Sequence, residues 1–224
     1  MNSSQLSHMF DHTFLKAYAT DADLIQLCKE ALDMKAAMVA INTEWVSFCK
    51  ERLKDTGVHV GAAIGFPLGQ CGLETKLFEC RYAIEQGADE IDYVINISNA
   101  KMHRWDLIRE EMEKLTKLCH AHDVLIKVIF ENCYLEKEEI RKLSEIAKEV
   151  KPDFIKTSTG FGTGGAKVED VLLMKETVKD GVQVKAAGGI RDWNTCKQMI
   201  EAGATRIGTS ASLQILKEFE ENQE

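Results

Sequence analysis

Residues 90–130 read EIDYVINISNAKMHRWDLIREEMEKLTKLCHAHDVLIKVIF. Two short apolar runs, 90–96 and 124–130, flank a stretch with helical spacing at 105–120. Both runs stay apolar instead of alternating with polar residues, which is typical of parallel strands covered on both faces. The segment therefore predicts one strand–helix–strand unit of an α/β protein.

The same alternation continues along the chain. Further strands are expected at 9–14, 37–41, 58–64, 154–157, 182–187 and 205–208, and further helices at 22–34, 44–54, 73–86, 138–150, 168–178, 193–202 and 210–220. Residues 86–91 resemble 202–207, which supports repeated βα units but does not by itself distinguish a barrel from an open doubly wound sheet. Eight strands, each followed by a helix, predict a single (β/α)8 TIM barrel over residues 1–224.

Composition excludes several classes of protein. The formal net charge of −8 argues against general nucleic-acid binding. We expect no membrane association, because no stretch approaches the roughly 20 apolar residues of a membrane span. The N-terminus has neither a basic start nor an apolar core typical of a signal peptide. The seven cysteines include no C-x-x-C pair, so we expect reduced thiols in a cytoplasmic protein.

Four charged residues interrupt the apolar strands: Asp92, Lys127, Lys156 and Lys185. A single lysine at a strand end would ordinarily reach solvent. Four charges in four successive strands are different, because lysine and aspartate are rarely buried without a partner. If all four side chains point inward, they meet near the C-terminal mouth of the barrel, where such folds carry their active sites.

Two lysines beside a carboxylate favour imine chemistry. A lysine amine is nucleophilic when it is neutral, and a nearby ammonium or desolvation lowers its pKa from about 10.4. The protonated imine that it forms with a carbonyl accepts electrons from an adjacent carbon–carbon bond. A carboxylate such as Asp92 can relay protons through water while the imine forms. The set predicts Schiff-base catalysis on a carbonyl compound.

Two glycine-containing loops, 187–190 and 207–212, follow the last two strands and precede helices. Together they favour a phosphate site over simple tight turns, because barrel enzymes commonly bind phosphate there. Residues 160–165 match G-x-G-x-x-G, but the next strand carries Lys185 where a dinucleotide site has an acidic residue. We interpret this segment as a loop that closes over substrate. His120 and His122 lie at a helix-to-strand turn and are interpreted as solvated, so no metal is expected. We also expect no cofactor.

Longer motifs resemble a known family. DFIKTSTGF at 153–161 and VKAAGGIR at 184–191 resemble the two signatures of the deoxyribose-phosphate aldolases, which are class I aldolases. Further matches at 11–13, 65–69, 90–96 and 206–210 follow the family order from about residue 8 to 213. The resemblance implies a TIM barrel that reversibly cleaves 2-deoxy-D-ribose 5-phosphate to D-glyceraldehyde 3-phosphate and acetaldehyde.

The resemblance also implies roles for residues. Lys156 would form the imine, Lys185 would lower its pKa and Asp92 would relay protons, with Lys127 and Asp11 in support. Phosphate contacts are expected from Thr159, Gly160, Gly188, Gly189, Gly208 and Ser210. The expected partners are small phosphorylated sugars and aldehydes, with a homodimer as one expected assembly.

The chain departs from the family at two places. The family often has Cys-Val-Asn-Pro where this chain has Ala40-Ile41-Asn42-Thr43, and Ser-Ser-Gly where it has Ser210-Ala211-Ser212. Loss of the hydroxyl at Ala211 is expected to weaken phosphate binding by roughly 1 kcal/mol, and a helix start without proline at Thr43 is expected to be looser. Two other hypotheses are an imine-independent sugar-phosphate isomerase or epimerase, and a binding module without chemistry. The paired strand lysines count against the isomerase or epimerase. The lysine–aspartate set counts against the binding module, because a buried charge cluster without function is costly.

Overall fold

Eight parallel strands close into a barrel in sequential order, with β1 paired to both β2 and β8. The computed structural model describes residues 1–223, so the end of the predicted domain at residue 224 lies outside the described residues. The strands are β1 (Phe10–Thr13), β2 (Met38–Asn42), β3 (His59–Ile64), β4 (Glu90–Val94), β5 (Leu125–Ile129), β6 (Phe154–Lys156), β7 (Gln183–Ala187) and β8 (Arg206–Thr209). The predicted TIM barrel and all eight predicted strands are confirmed.

Helices surround the barrel. They are α1 (Ser3–Ser7), α2 (Asp21–Met34), α3 (Val46–Leu53), α4 (Leu73–Glu85), α5 (Ile97–Lys101), α6 (Trp105–His120), α7 (Lys137–Val150), α8 (Val168–Val178), α9 (Trp193–Glu201) and α10 (Ser212–Glu221). The sequence patterns did not predict α1 and α5, because five residues are too few to display helical periodicity. Both begin at an asparagine that caps the helix, Asn2 and Asn96. The first turn of the predicted helix 44–54 is a 3-10 turn, Thr43–Trp45.

The hydrophobic core lies between the strands and the helices. Outward-facing residues of neighbouring strands, such as Val39, Ile91 and Val128, are fully buried beneath the helical layer. The interior of the barrel is filled by side chains as well. A Cβ on Gly61 would lie 2.2 Å from Met38 Sδ, so glycine at this position makes room for the methionine. Met38 Sδ in turn lies 3.3 Å from Lys127 Nζ and supports the charged layer above it.

No helix within residues 1–223 is both long and apolar enough to cross a membrane.

Candidate active site

Asp92 is the centre of the charged layer inside the barrel. Its Oδ1 accepts a hydrogen bond from Lys127 Nζ at 2.7 Å. Its Oδ2 accepts one from Lys156 Nζ and one from Lys185 Nζ, both at 2.7 Å. Strand register explains the meeting, because Asp92 pairs with Lys127 across β4 and β5, and Lys156 with Lys185 across β6 and β7. The predicted convergence of these four residues is confirmed.

A second layer of charges lies deeper in the barrel. Asp11 forms ion pairs with Lys185 and, through Oδ1, with Arg206 Nη1 at 2.6 Å. Glu90 forms an ion pair with Lys127 and lies 3.3 Å from the same Arg206 nitrogen. The predicted supporting residues Asp11 and Lys127 therefore belong to one connected network. Sequence reasoning assigned no role to Glu90 or Arg206, although both lie in motifs that it had singled out.

Basic groups outnumber acidic groups in this network. Apart from half-exposed His59, whose Nδ1 lies 2.7 Å from Glu90 Oε1, it contains four basic side chains and three carboxylates: Lys127, Lys156, Lys185, Arg206, Asp11, Glu90 and Asp92. In a buried cluster an unmatched charge is costly, so the proton held least firmly is the one that leaves.

Burial lowers the pKa of Lys156 to about 8, with Asp92 opposing the shift and Lys185 adding to it. The pKa of Lys127 is raised, because its neighbours Asp92 and Glu90 outweigh the effect of burial. The pKa of Asp92 lies well below its usual range, since the three lysines together outweigh burial. Lys185 therefore contributes to the low pKa of Lys156, but desolvation is the larger cause.

Access also distinguishes the lysines. A cavity of about 520 Å³ opens at the C-terminal mouth of the barrel. Of the three lysines around Asp92, Lys156 lines this cavity and is 4% exposed, whereas Lys127 and Lys185 are fully buried behind it. A carbonyl compound in the cavity would meet the amine of Lys156 first.

The predicted phosphate residues line the same cavity as Lys156: Thr159, Gly160, Gly188, Gly189, Gly208 and Ser210. Gly188 and Gly189 have φ of +87° and +77°, a left-handed conformation that favours glycine. The Thr209 hydroxyl joins the two glycine loops, since it donates to Ile190 O at 2.6 Å and accepts from Ala211 N at 2.9 Å. The two loops thus form one rim of the cavity.

Two of these residues have further contacts. A Cβ on Gly208 would lie 3.0 Å from Lys185 Cε, so this glycine makes room for the lysine. Thr159 donates hydrogen bonds from both its amide and its hydroxyl to Glu131. Sequence reasoning missed Glu131, although an acidic residue directly after the apolar run that carries Lys127 could have indicated it.

His12 connects the first strand to the rim. Its Nε2 lies 2.8 Å from Glu30 Oε2 on α2, and its Nδ1 lies 3.0 Å from the Ser212 hydroxyl at the start of α10. Burial lowers the pKa of His12, while Glu30 opposes the shift. The sequence pattern at 11–13 indicated no role for this histidine. Its contacts fix the helix start that follows Ser210.

The departures at Ala40, Thr43 and Ala211 leave this geometry intact. Ala40 is buried in β2. Thr43 begins the 3-10 turn before α3, and its hydroxyl donates to Glu79 Oε1 at 2.8 Å, so this helix start is anchored without proline. Ala211 occupies the cap position of α10, with its amide bonded to Thr209.

Two further motifs are the histidine pair 120/122 and the glycine-rich segment 160–165. His120 is half-exposed at the end of α6, and its Nε2 lies 3.0 Å from Asp153 Oδ2. No group of three or more histidine, cysteine, aspartate or glutamate side chains within 1–223 is arranged to hold a metal ion. Gly160 has φ of +88° and lines the cavity together with Phe161, next to Lys156. The start of the glycine-rich segment therefore forms part of the cavity wall, and Gly165 packs behind it against the backbone of Gly188.

Known proteins are similar to this chain in architecture and in sequence. A family model described as DeoC/LacD family aldolase matches residues 6–218. A deoxyribose-phosphate aldolase of Lactobacillus acidophilus is 57% identical over 209 residues, which cover 93% of this chain and 88% of that protein. One from Bacteroides thetaiotaomicron is 49% identical over 99% of this chain and 93% of its own length.

A solved structure agrees with these relatives. The deoxyribose phosphate aldolase of Aeropyrum pernix, described as having a tetrameric structure, superposes with a TM-score of 0.91 and 30% identity over 98% of this chain and 92% of that chain. Family model, relatives and structure all lead to the same assignment: this chain belongs to the DeoC/LacD family of aldolases.

Proposed function

We propose that this chain reversibly cleaves 2-deoxy-D-ribose 5-phosphate into D-glyceraldehyde 3-phosphate and acetaldehyde through an imine on Lys156. One observation carries the proposal: an amine with a pKa of about 8 lies 2.7 Å from a carboxylate, at the wall of a cavity that a glycine rim suited to phosphate also lines. The relatives named as deoxyribose-phosphate aldolases support the choice of substrate.

The reaction begins with attack of neutral Lys156 Nζ on the aldehyde carbon of the open-chain sugar. Loss of water gives a protonated imine. Removal of the proton from the C3 hydroxyl then sends the electrons of the C2–C3 bond into the imine, which releases the three-carbon aldehyde and leaves an enamine. Protonation of the enamine carbon and hydrolysis return acetaldehyde and the free amine.

Asp92 and Lys185 prepare the amine for this sequence. Asp92 is the carboxylate proposed to relay protons through water, and the three lysines around it lower its pKa and return it to the ionised form after each transfer. Lys185 donates to the same Oδ2 as Lys156, and it therefore shares the carboxylate that would otherwise hold the Lys156 proton. Lys127 and Asp11 hold Asp92 and Lys185 in place.

The rim formed by Gly188, Gly189 and Ser210 is proposed to bind the phosphate, with Gly160 beside Gly188. Backbone amides at a helix start attract anions, and α10 begins directly behind the rim. The paired lysines argue against the isomerase or epimerase hypothesis, which needs a base but no essential amine. Action in the cytoplasm agrees with seven free cysteines. Assembly as a homodimer stays a prediction that light scattering tests.

Borohydride trapping tests the proposal directly. The protein is incubated with acetaldehyde, reduced, digested and analysed by mass spectrometry, with Lys156→Ala as the blank. A reduced two-carbon adduct on Lys156 is expected. Saturable labelling of Lys185 instead would keep the aldolase and reverse the lysine roles, whereas a folded protein without any adduct would overturn imine catalysis.

A further inference from the structure

Glu131 is a buried carboxylate next to the cavity that the proposed reaction does not use. It follows β5 at the mouth of the barrel, is 1% exposed and has φ of +59°, an uncommon conformation for a residue with a side chain. No basic side chain in the described part of the chain forms an ion pair with it. Burial raises its pKa, with the donors of Thr159 opposing the shift. A buried carboxylate without a cation lowers the stability of the fold, and so does a non-glycine residue with positive φ. Their combination here indicates a functional role.

Both hydrogen bonds to this carboxylate come from Thr159. The amide of Thr159 donates to Glu131 Oε1 at 3.1 Å, and its hydroxyl donates to Oε2. The hydroxyl oxygen in turn accepts a hydrogen bond from Phe161 N at 3.0 Å. Gly160 lies between them with positive φ. One carboxylate therefore determines the conformation of the turn 159–161, which begins three residues after Lys156 and lines the cavity.

We infer that Glu131 is a positioning residue that holds the turn 159–161 in the shape that accepts the phosphorylated substrate. Both hydrogen-bond donors of Thr159 point to Glu131, so Thr159 acts by shaping the wall and the phosphate is bound by the glycine rim. The inference rests on the proposed function, because it concerns how the same cavity selects a sugar phosphate.

The chain offers a matched control. Asp192 at the start of α9 also accepts both donors of one threonine, the amide of Thr195 at 2.8 Å and its hydroxyl at 2.9 Å. Neither residue lines the cavity. Asp192→Asn therefore perturbs the same kind of contact outside the substrate wall, and separates loss of a threonine anchor from loss of that wall.

The experiment measures kcat and KM for cleavage of 2-deoxy-D-ribose 5-phosphate, together with the rate of borohydride trapping with acetaldehyde, which carries no phosphate. Glu131→Gln is expected to raise KM by about tenfold, because one charge-assisted hydrogen bond is lost. Its kcat and trapping rate should each change by less than about threefold. Asp192→Asn should leave KM at the wild-type value.

Thr159 variants examine the contact from its other side, and they keep the test valid if Glu131→Gln does not fold. Thr159→Val should raise KM as Glu131→Gln does, and Thr159→Ser should give a KM closer to that of the wild type. The double variant Glu131→Gln/Thr159→Val should be no worse than either single variant. A KM unchanged in both Glu131→Gln and Thr159→Val overturns the inference, as does a fall in acetaldehyde trapping at constant KM. If the wild type itself does not cleave the sugar phosphate, the proposed function fails instead.

Discussion

Two lysines of this chain, Lys76 and Lys156, are buried in very different surroundings. Lys76 on α4 is fully buried outside the barrel, where its Nζ donates to Glu111 Oε2 at 2.8 Å and to Val94 O at 2.7 Å. Lys156 lies inside the barrel, shares one oxygen of Asp92 with Lys185 and borders the cavity. Within the described residues, Lys76 does not share the Glu111 carboxylate with another lysine, whereas Lys156 shares the Asp92 carboxylate with two other lysines.

The difference shows what converts a buried ammonium into a nucleophile. Burial is common to both residues, so burial alone does not distinguish them. Lys156 differs by sharing its carboxylate with other cations and by its contact with a cavity that substrate can enter. The Lys76–Glu111 pair instead joins α4 to α6 and to the end of β4, where Glu111 also accepts Asn96 N at 3.1 Å. We expect chemistry to depend on Lys156 and folding to depend on Lys76.

The largest effect is expected from Lys156→Ala. Without the amine no imine forms, so kcat/KM should fall by at least about 10⁴-fold. Steady-state turnover and borohydride trapping measure the loss. Lys76→Met, which also removes a buried lysine, should keep kcat per folded molecule within about threefold. Equal losses of activity in the two variants would abolish the distinction between the two regions.

The free energy of unfolding should show the opposite order, with a larger loss in Lys76→Met than in a substitution of Lys156. Lys76→Met leaves Glu111 buried without its cation, which is expected to cost about 3–5 kcal/mol of unfolding free energy. Urea denaturation followed by circular dichroism measures this cost. The double variant Lys76→Met/Glu111→Leu removes both charges and should recover much of it. If the double variant is no more stable than the single one, the pair contributes through packing and not through charge.

The next effect is a shift in the pH profile of kcat/KM when Lys185 is replaced. Lys185 lowers the pKa of Lys156, so Lys185→Leu should raise that pKa by about one unit. The reactive form is neutral, and the rise of kcat/KM with pH, expected near pH 8 in the wild type, should move to higher pH. The rate at pH 7 should then fall by about tenfold. Lys185→Arg keeps the positive charge and should shift the profile less. Superimposable profiles for Lys185→Leu and the wild type would remove this role from Lys185.

The sequence reveals one of these two regions far better than the other. Lys156 interrupts an apolar strand, where a charge is unexpected, and three similar interruptions in neighbouring strands predicted the cluster. Lys76 lies on a helix, where lysine is ordinary and ordinarily exposed, so nothing in the pattern indicated its burial. Partners such as Glu111, or Glu131 for Thr159, are separated by 28 or more positions and depend on how loops meet in space. Strand periodicity fixes which residues face inward, but not which loop residues touch.

The smallest effect is a dependence of stability on pH. The pKa of Lys156 is about 8 in the folded chain and 10.5 ordinarily. Between these values the unfolded chain binds more protons than the folded one, so this residue makes folding more favourable as pH rises from about 8 to 10.5. Below pH 8 both states are protonated and the folded state carries the full penalty. Lys156→Met lacks the penalty, and it leaves three basic groups facing three carboxylates in the network.

We therefore expect Lys156→Met to be more stable than the wild type at pH 7 by at least about 1 kcal/mol, and this advantage to shrink above pH 8. Urea denaturation of both proteins at pH 7, 8, 9 and 10 measures the difference, in which groups common to the two chains cancel. A difference that stays constant over this range would mean that folding does not lower the pKa of Lys156. The contrast between the two buried lysines would then rest on access to the cavity alone, because burial and the neighbouring lysines would not outweigh the effect of Asp92 on the amine.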